Sequence, residues 1–266
     1  MAVTQSTPRV AYTLSGSAES RTVVFVNGIG GAQAAFSLQV RAFMSDHQVL
    51  TYDHRGMGGS EIVDAPVHMA DFAQDLVRVL DETGISRADF VGLSFGGRVL
   101  QQLAAGWPER VRRMVVGGTS AGGDLHVPSE VNVHQSMRDA VGGDATDWAN
   151  TVAPLLFGRS YREKYPERIR SLARWRARYS PSPVGLARQW EAWDSFDMSG
   201  QLEQIECPVL ILHGTDDALS PMGNAVALQE NLPNAILVPL EGIGHSPNVE
   251  DTDRFNKEIR EFFSQS

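Results

Sequence analysis

Short apolar runs alternate with amphipathic segments along most of the chain. Runs of four to six residues with few polar interruptions predict strands buried on both faces, and they occupy positions 22–26, 49–52, 88–93, 111–116, 208–212 and 235–240. Apolar residues recur at helical spacing within 72–80 and 255–263, which predicts helices with one buried face. This alternation predicts an α/β fold, in which a mostly parallel, twisted sheet is flanked by helices.

The alternation stops between Asp124 and Ser195. The spacing of apolar residues in this stretch is helical, and no strand-like run interrupts it. The stretch also holds four tryptophans, namely Trp148, Trp175, Trp190 and Trp193. The sequence therefore predicts one α/β unit, 1–123 and 196–266, interrupted by a helical insertion over 124–195.

Composition and charge narrow the class of protein. A chain of 266 residues with 42% hydrophobic residues can bury a full core as one domain. The net charge of −9 and the sequence pI of about 5.2 argue against a nucleic-acid partner. The single cysteine, Cys207, allows no internal disulfide and suits a reducing compartment. No signal peptide and no apolar stretch of membrane-spanning length are apparent, so we expect a cytoplasmic protein without a membrane partner.

The candidate chemistry begins at a serine in the sequence Gly-Leu-Ser-Phe-Gly, residues 92–96. An apolar strand precedes this segment and an apolar helical segment follows it, which is the context of a nucleophile elbow. In such a turn the serine is lifted clear of the backbone, and glycines flank it because a Cβ at those positions would clash. We therefore predict that Ser94 is a nucleophile.

A serine hydroxyl is a weak nucleophile at neutral pH, so it needs a general base that is oriented by a carboxylate. In proteins with this elbow, the order along the chain is serine, then aspartate or glutamate, then histidine. Asp216 and Asp217 follow the strand at 208–212, and His245 lies in a glycine-rich loop after the strand at 235–240. His245 is the predicted base, and at this point either aspartate could be the carboxylate.

The chain resembles the alpha/beta-hydrolase superfamily over nearly its whole length. The superfamily commonly carries its acid as G-x-x-D-x-x-x-P, and residues 214–221 place Asp217 at that position. The resemblance therefore implies that Asp217 orients the histidine, and we expect Asp216 to accept hydrogen bonds from amides of the turn. It also implies that the D-x-R-G-x-G-x-S stretch beginning at Asp53 is a structural turn.

The resemblance further implies an oxyanion hole made of two backbone amides. One is the amide of Phe95, directly after the serine, and the other is the amide of Ile29 in the loop after the strand at 22–26. Asn27 stands where the superfamily usually has histidine, a change that leaves the backbone donor intact. A dinucleotide site is disfavoured because Gln33 occupies the third glycine position of G-x-G-x-x-G.

A metal site could be formed by composition alone from four residues, namely His213, Asp216, Asp217 and His245. None of the common metal-ligand spacings is present among them. The sequence therefore predicts neither a metal nor a cofactor.

In the superfamily, helices inserted at this place form a cap, which supplies apolar walls to the active site and excludes water. From Arg159 to Arg188 the predicted cap has nine basic residues but only two acidic ones, Glu163 and Glu167. One hypothesis is that this charge steers an anionic substrate. The alternative, which we favour, is a solvated face whose arginines pair with acidic residues of the core.

The motifs most closely resemble those of the β-ketoadipate enol-lactonases and related carboxylesterases, on the basis of Asn27 and the stretches at 52–60, 92–97 and 155–158. This resemblance implies a serine hydrolase that cleaves a small-molecule carboxylic ester or lactone through an acyl-enzyme. Two alternatives stay open, because one fold hosts many functions. The same residues could hydrolyse a carbon–carbon bond or a thioester, or the fold could serve as a ligand receptor without catalysis.

Overall fold

An eight-stranded sheet forms the centre of the molecule, in the strand order β1-β2-β4-β3-β5-β6-β7-β8. The computed structural model describes residues 1–129, 133–139, 150–176, 178 and 182–265. The strands are β1 (Ala2–Val3), β2 (Ala11–Ser15), β3 (Thr22–Val26), β4 (Gln48–Tyr52), β5 (Ala88–Leu93), β6 (Val111–Gly117), β7 (Val209–Gly214) and β8 (Ala235–Leu240). β2 runs antiparallel to β1 and β4, and the other pairs are parallel.

Helices cover both faces of this sheet. The α-helices of the described residues, including those of the stretch between β6 and β7, are α1 (Ser37–Phe43), α2 (Met69–Glu82), α3 (Phe95–Gly106), α4 (Val133–Asp139), α5 (Arg159–Lys164), α6 (Pro166–Arg176), α7 (Pro183–Asp194), α8 (Met222–Asn231), α9 (Pro247–Glu250) and α10 (Thr252–Ser264). Successive strand residues point to opposite faces, so Val23 and Phe25 join a core with α1 and α10, whereas Val24 and Val26 join a core with α2, α3 and α8. Within the described residues, no helix combines the length and apolar character needed to cross a membrane.

The predicted fold class is confirmed, and the six predicted strands correspond to β3–β8. The apolar pattern failed to predict β1 and β2, which form the antiparallel edge of the sheet. β2 reads Ala-Tyr-Thr-Leu-Ser, and only Ala11 in it is buried. A half-exposed edge strand needs no continuous apolar run, so this kind of strand gives a weak signal in the sequence.

Among the described residues, four α-helices, α4 to α7, lie between β6 and β7, where the alternation of strands and helices stops. We call these four helices the helical insertion. An antiparallel bridge between Gly122 and Asp197 joins the chain just before the insertion to the chain just after it. Trp148 lies outside the described residues, and the domain boundaries at 124 and 195 remain a prediction.

Candidate active site

Ser94 occupies the tight turn between β5 and α3. Its backbone has a φ of 56° and a ψ of −119°, a conformation that L-residues rarely adopt and that fits a nucleophile elbow. A Cβ on Gly92 would lie 2.7 Å from the carbonyl oxygen of Gly96, and a Cβ on Gly96 would overlap the carbonyl of Val26. The two glycines therefore let α3 pass close to the strands, and the packing around them holds Ser94 in its strained conformation.

His245 and Asp217 are joined by a hydrogen bond. The Nδ1 atom of His245 lies 2.8 Å from Oδ2 of Asp217, and both side chains are buried. The other carboxylate oxygen, Oδ1, accepts the amides of Leu219 and Ser220, each at 2.9 Å. Burial by itself would raise the pKa of Asp217, but the interactions with His245 and the amide donors lower it below its ordinary value. Asp217 is thus held as a carboxylate that can orient the imidazole.

Ser94 and His245 line one cavity, at the end of the sheet where β5 and β7 finish. Gly28 and Ile29, from the loop after β3, line the same cavity. Phe95 is the first residue of α3, so its amide lies in the turn where a helix has no internal acceptor for its N–H groups. The structure therefore brings together a serine, a histidine with its carboxylate, and the backbone of both predicted oxyanion donors.

This fold has a counterpart among known proteins. The family model described as the alpha/beta hydrolase fold matches residues 21–252. The chain belongs to the alpha/beta hydrolase family. Its relatives carry the names of hydrolases, and this protein is a hydrolase.

This hydrolase is similar to three proteins that carry the names of hydrolases. It is 30% identical over 247 residues to "Putative carbamate hydrolase RutD" of Caulobacter sp. (strain K31), covering 92% of this chain and 91% of that protein. It is 29% identical to 3-oxoadipate enol-lactonase 2 of Acinetobacter baylyi, covering 93% and 90%. The crystal structure of the enol-lactonase from Burkholderia xenovorans LB400 aligns with a TM-score of 0.85 and 26% identity, over 97% of each chain.

The hydrolase uses the two adjacent aspartates differently from our expectation. Asp216 does not bind the amides of its own turn; its carboxylate accepts the amide of Arg159, at the start of α5 in the helical insertion. The turn amides of Leu219 and Ser220 are bound by Asp217 instead. The expectation was wrong because the sequence does not show that the insertion lies against this turn.

The stretch that begins at Asp53 has the contacts of a structural turn. Asp53 accepts the amides of Gln33 at 2.7 Å and of Gly59 at 3.0 Å. Arg55 forms a two-pronged ion pair with the buried Asp75, at 2.6 and 2.8 Å. These contacts fix the loop after β4, and the residues that make them are absent from the described lining of the cavity.

The four side chains considered for a metal site do not form one. The Nε2 atom of His213 lies 2.7 Å from the carbonyl oxygen of Ser220, and Asp216 bonds the helical insertion. Among the described residues, no group of three histidine, cysteine or acidic side chains is arranged to hold a metal ion.

The cavity wall contains a polar cluster that the sequence analysis missed. Most of the lining is apolar or aromatic, with side chains from the helical insertion that include Leu172, Trp190 and Trp193. Ser120 and His126 line one part of it, and their side chains lie 3.1 Å apart. The buried Arg98 donates to Ser120 from behind, at 2.8 Å. A signal for it exists in the sequence, because Arg98 is the one charged residue of the helix that follows the elbow.

Two further residues, which the sequence analysis did not predict, connect the helical insertion to the candidate site by hydrogen bonds. Gln189 of α7 is fully buried, and its Oε1 accepts the amide of Gly30 at 2.7 Å, next to the predicted oxyanion donor Ile29. Glu250 accepts the amide of Gly158 at 3.0 Å with one oxygen and the amide of Gly244 at 2.9 Å with the other. Burial raises the pKa of Glu250 to about 7, although these hydrogen bonds oppose the change.

The arginines of the helical insertion whose side chains the structure describes are exposed or half-buried. No arginine belongs to the cavity lining that the structure describes. Arg170 pairs with Glu167 in its own helix, and Arg188 pairs with Asp64 of the core at 2.8 Å and with Glu191. These pairs agree with the favoured hypothesis of a solvated face. The pair of Arg188 with Asp64 is an ion pair between the insertion and the core, as that hypothesis expects.

Proposed function

We propose that Ser94, His245 and Asp217 form a catalytic triad that hydrolyses a carboxylic ester or a lactone. The observation that carries this proposal is the 2.8 Å hydrogen bond between His245 and Asp217, beside a cavity that a serine in elbow geometry also lines. A histidine that donates from Nδ1 to a carboxylate has Nε2 available to accept the serine proton.

The proposed reaction proceeds in two halves. Ser94 Oγ attacks the acyl carbon, and His245 takes its proton and passes it to the departing alcohol oxygen. Water then attacks the acyl-enzyme, again losing its proton to His245, and the acid is released as Ser94 regains its hydrogen. The amides of Ile29 and Phe95 stabilise the negative oxygen of each tetrahedral intermediate.

The helical insertion acts in this proposal as a cap. Its aromatic side chains line the cavity opposite the loops of the sheet, where they would exclude water from the acyl-enzyme and hold the acyl group. Relatives named as enol-lactonases support ester chemistry, and relatives named as carbamate hydrolases place a carbamate beside esters and lactones among the compounds to test.

Ser94→Ala provides the test. We expect the variant to fold and to lose hydrolysis by several orders of magnitude, because the members of a triad act as a unit. The assay uses nitrophenyl esters, lactones, acyl thioesters and a carbamate. A fluorophosphonate should label the wild-type protein once, at Ser94, as located by peptide mass spectrometry. Labelling of Ser120 or Ser246, which also line the cavity, or full activity of the variant, would refute the triad.

A further inference from the structure

Arg98 is a buried cation that lies directly behind the cavity. It lies one helical turn after Ser94, and the residue is only 2% exposed. The guanidinium donates to the carbonyl oxygen of Trp193 and to Ser120 Oγ, both at 2.8 Å, and it stacks 3.5 Å from the centre of the Trp193 ring. Among the described residues, its Nε has no hydrogen-bond partner.

No carboxylate among the described residues forms an ion pair with Arg98. The carboxylate of Asp194 opposes the effect of burial on the pKa of Arg98, but Asp194 forms its ion pair with Arg138. Burial is the larger effect and lowers the pKa of Arg98 to about 9, so the group is still a cation at neutral pH. A buried charge without a counter-ion is destabilising, and proteins normally pair such a charge or use it.

A chain of hydrogen bonds connects Arg98 to the cavity through Ser120 and His126. Arginine can only donate, so Ser120 Oγ accepts from Arg98 and must give its own proton to another group. The Nδ1 atom of His126 lies 3.1 Å away and can take that hydrogen bond. With Nδ1 as the acceptor, a neutral imidazole carries its hydrogen on Nε2. Burial, with a further contribution from Arg98, lowers the pKa of His126, which favours this neutral form.

The surrounding wall also offers donors. The indole N–H of Trp190 is buried and has no hydrogen-bond partner among the described residues, and the neighbouring His134 packs edge-on against the rings of Trp190 and Trp193. No aspartate or glutamate belongs to the cavity lining that the structure describes. This part of the cavity therefore presents hydrogen-bond donors backed by a positive charge, within an otherwise apolar wall.

We propose that the Nε2–H of His126, held in this tautomer by Ser120 and backed by the buried cation of Arg98, binds a carboxylate carried by the acyl part of the substrate. The substrate class is then the esters or lactones of acids that have a second carboxylate. This inference rests on the proposed function, because it takes Ser94 as the residue that attacks the other end of the acyl group. Arg98 acts through Ser120 as a positioning residue, since it is not itself among the residues that line the cavity.

Matched substrates test the subsite. Nitrophenyl half-esters of succinate, glutarate and adipate are compared with the nitrophenyl esters of butyrate, pentanoate and hexanoate. We expect the wild-type protein to prefer at least one half-ester over its neutral partner in kcat/KM. Arg98→Met, Ser120→Ala and His126→Phe should each lower that preference by about tenfold or more, the effect of losing a hydrogen bond to a charged group. Arg170→Met, which removes an exposed arginine, should leave it unchanged.

The preference is a ratio of two substrates on the same protein, so a general loss of folded enzyme does not change it. A wild-type protein that hydrolyses the esters without preferring any half-ester overturns the subsite and leaves the proposed function standing. An unchanged preference in all three subsite variants also overturns it. If Arg98→Met does not fold, Ser120→Ala and His126→Phe decide the question.

Binding to Ser94→Ala separates failure of the subsite from failure of the proposed function. We expect glutarate or another of the three dicarboxylates to bind this variant in calorimetry more tightly than the matching diamide. Adding Arg98→Met should weaken that binding by about tenfold or more. If wild-type protein hydrolyses none of the esters but this binding is observed, the triad proposal fails and the carboxylate subsite stands. Equal binding of diacid and diamide overturns the subsite.

Discussion

At the scale of single residues, two adjacent carboxylates have separate roles. Asp217 is buried, bonds His245 and holds its own turn, whereas Asp216 is exposed and bonds the start of α5. Neighbouring side chains in a turn point in different directions, so one step along the chain separates a position at the site from a position at the surface.

The different positions of the two aspartates predict different effects of substituting them. Asp217→Asn should lower kcat by about three to four orders of magnitude, because an amide disturbs the tautomer of His245 and leaves its cation unsupported. Asp216→Asn, its matched control, should keep most of the activity and lose at most about 1 kcal/mol of unfolding free energy. Steady-state kinetics and urea unfolding on both variants measure these effects. Equal losses of kcat would mean that the triad assignment is wrong.

Ser94 could be predicted from the sequence because it lies in a short motif whose spacing follows from a tight turn, and His245 because it lies in a loop after a late strand. The choice of Asp217 over Asp216 depended on the resemblance to the superfamily.

Arg98 could not be assigned a role in the same way. Its partners Ser120 and Trp193 are 22 and 95 residues away along the chain, and its burial exists only in the folded molecule. The wrong expectation for Asp216 has the same physical origin, since its partner Arg159 is 57 residues away.

At the scale of elements, Glu250 connects the helical insertion with the loop that carries His245. One carboxylate oxygen accepts the amide of Gly158, just before α5, and the other accepts the amide of Gly244, next to His245. A Cβ on Gly158 would lie 2.7 Å from the carbonyl oxygen of Gly242, so the two segments approach as closely as glycine allows. No local pattern predicts this contact, because it depends on how the insertion packs against the core.

The pKa of Glu250 predicts how this connection depends on pH. Burial raises the pKa from 4.5 to about 7, so the folded state binds the proton more tightly than the unfolded state does. The contribution to stability is therefore fully present below pH 4.5 and is lost as the pH rises through about 7. Glu250→Gln cannot titrate, so the unfolding free energy of the wild-type protein should fall relative to this variant between pH 5 and 8, roughly the window of that shift. Urea unfolding at several pH values measures it.

The matched control for this experiment is Glu230→Gln, which changes an exposed glutamate of α8. Its unfolding free energy should follow that of the wild-type protein at every pH. A constant difference between the wild-type protein and Glu250→Gln over the same range would show that Glu250 has an ordinary pKa.

At the scale of the whole molecule, charge is distributed unevenly. The chain has a net charge of −9, yet the stretch from 159 to 194 contains nine basic and four acidic residues. The six strands β3–β8 could be predicted from the sequence, and so could the break in the alternation where this stretch lies. The direction of its arginines could not, because the same helical spacing fits a charged lining and a charged outer surface. The pairs made by Arg170 and Arg188 place those two on the surface.

The exposed arginines of the insertion and the buried Arg98 should differ in how salt changes their effect on an anionic substrate. Exposed arginines act on an anionic substrate through solvent, where the Debye length falls from about 30 Å at 0.01 M to about 3 Å at 1 M. Arg98 is buried against the cavity wall, where salt screens it much less. We therefore expect the preference for a half-ester over its neutral ester to persist at 1 M salt, within about threefold of its low-salt value. The neutral ester, assayed at both salt concentrations, corrects for any general effect of salt on the enzyme. Loss of the preference at 1 M would assign it to the surface arginines, and Arg98→Met should show that loss because only the screened charges remain.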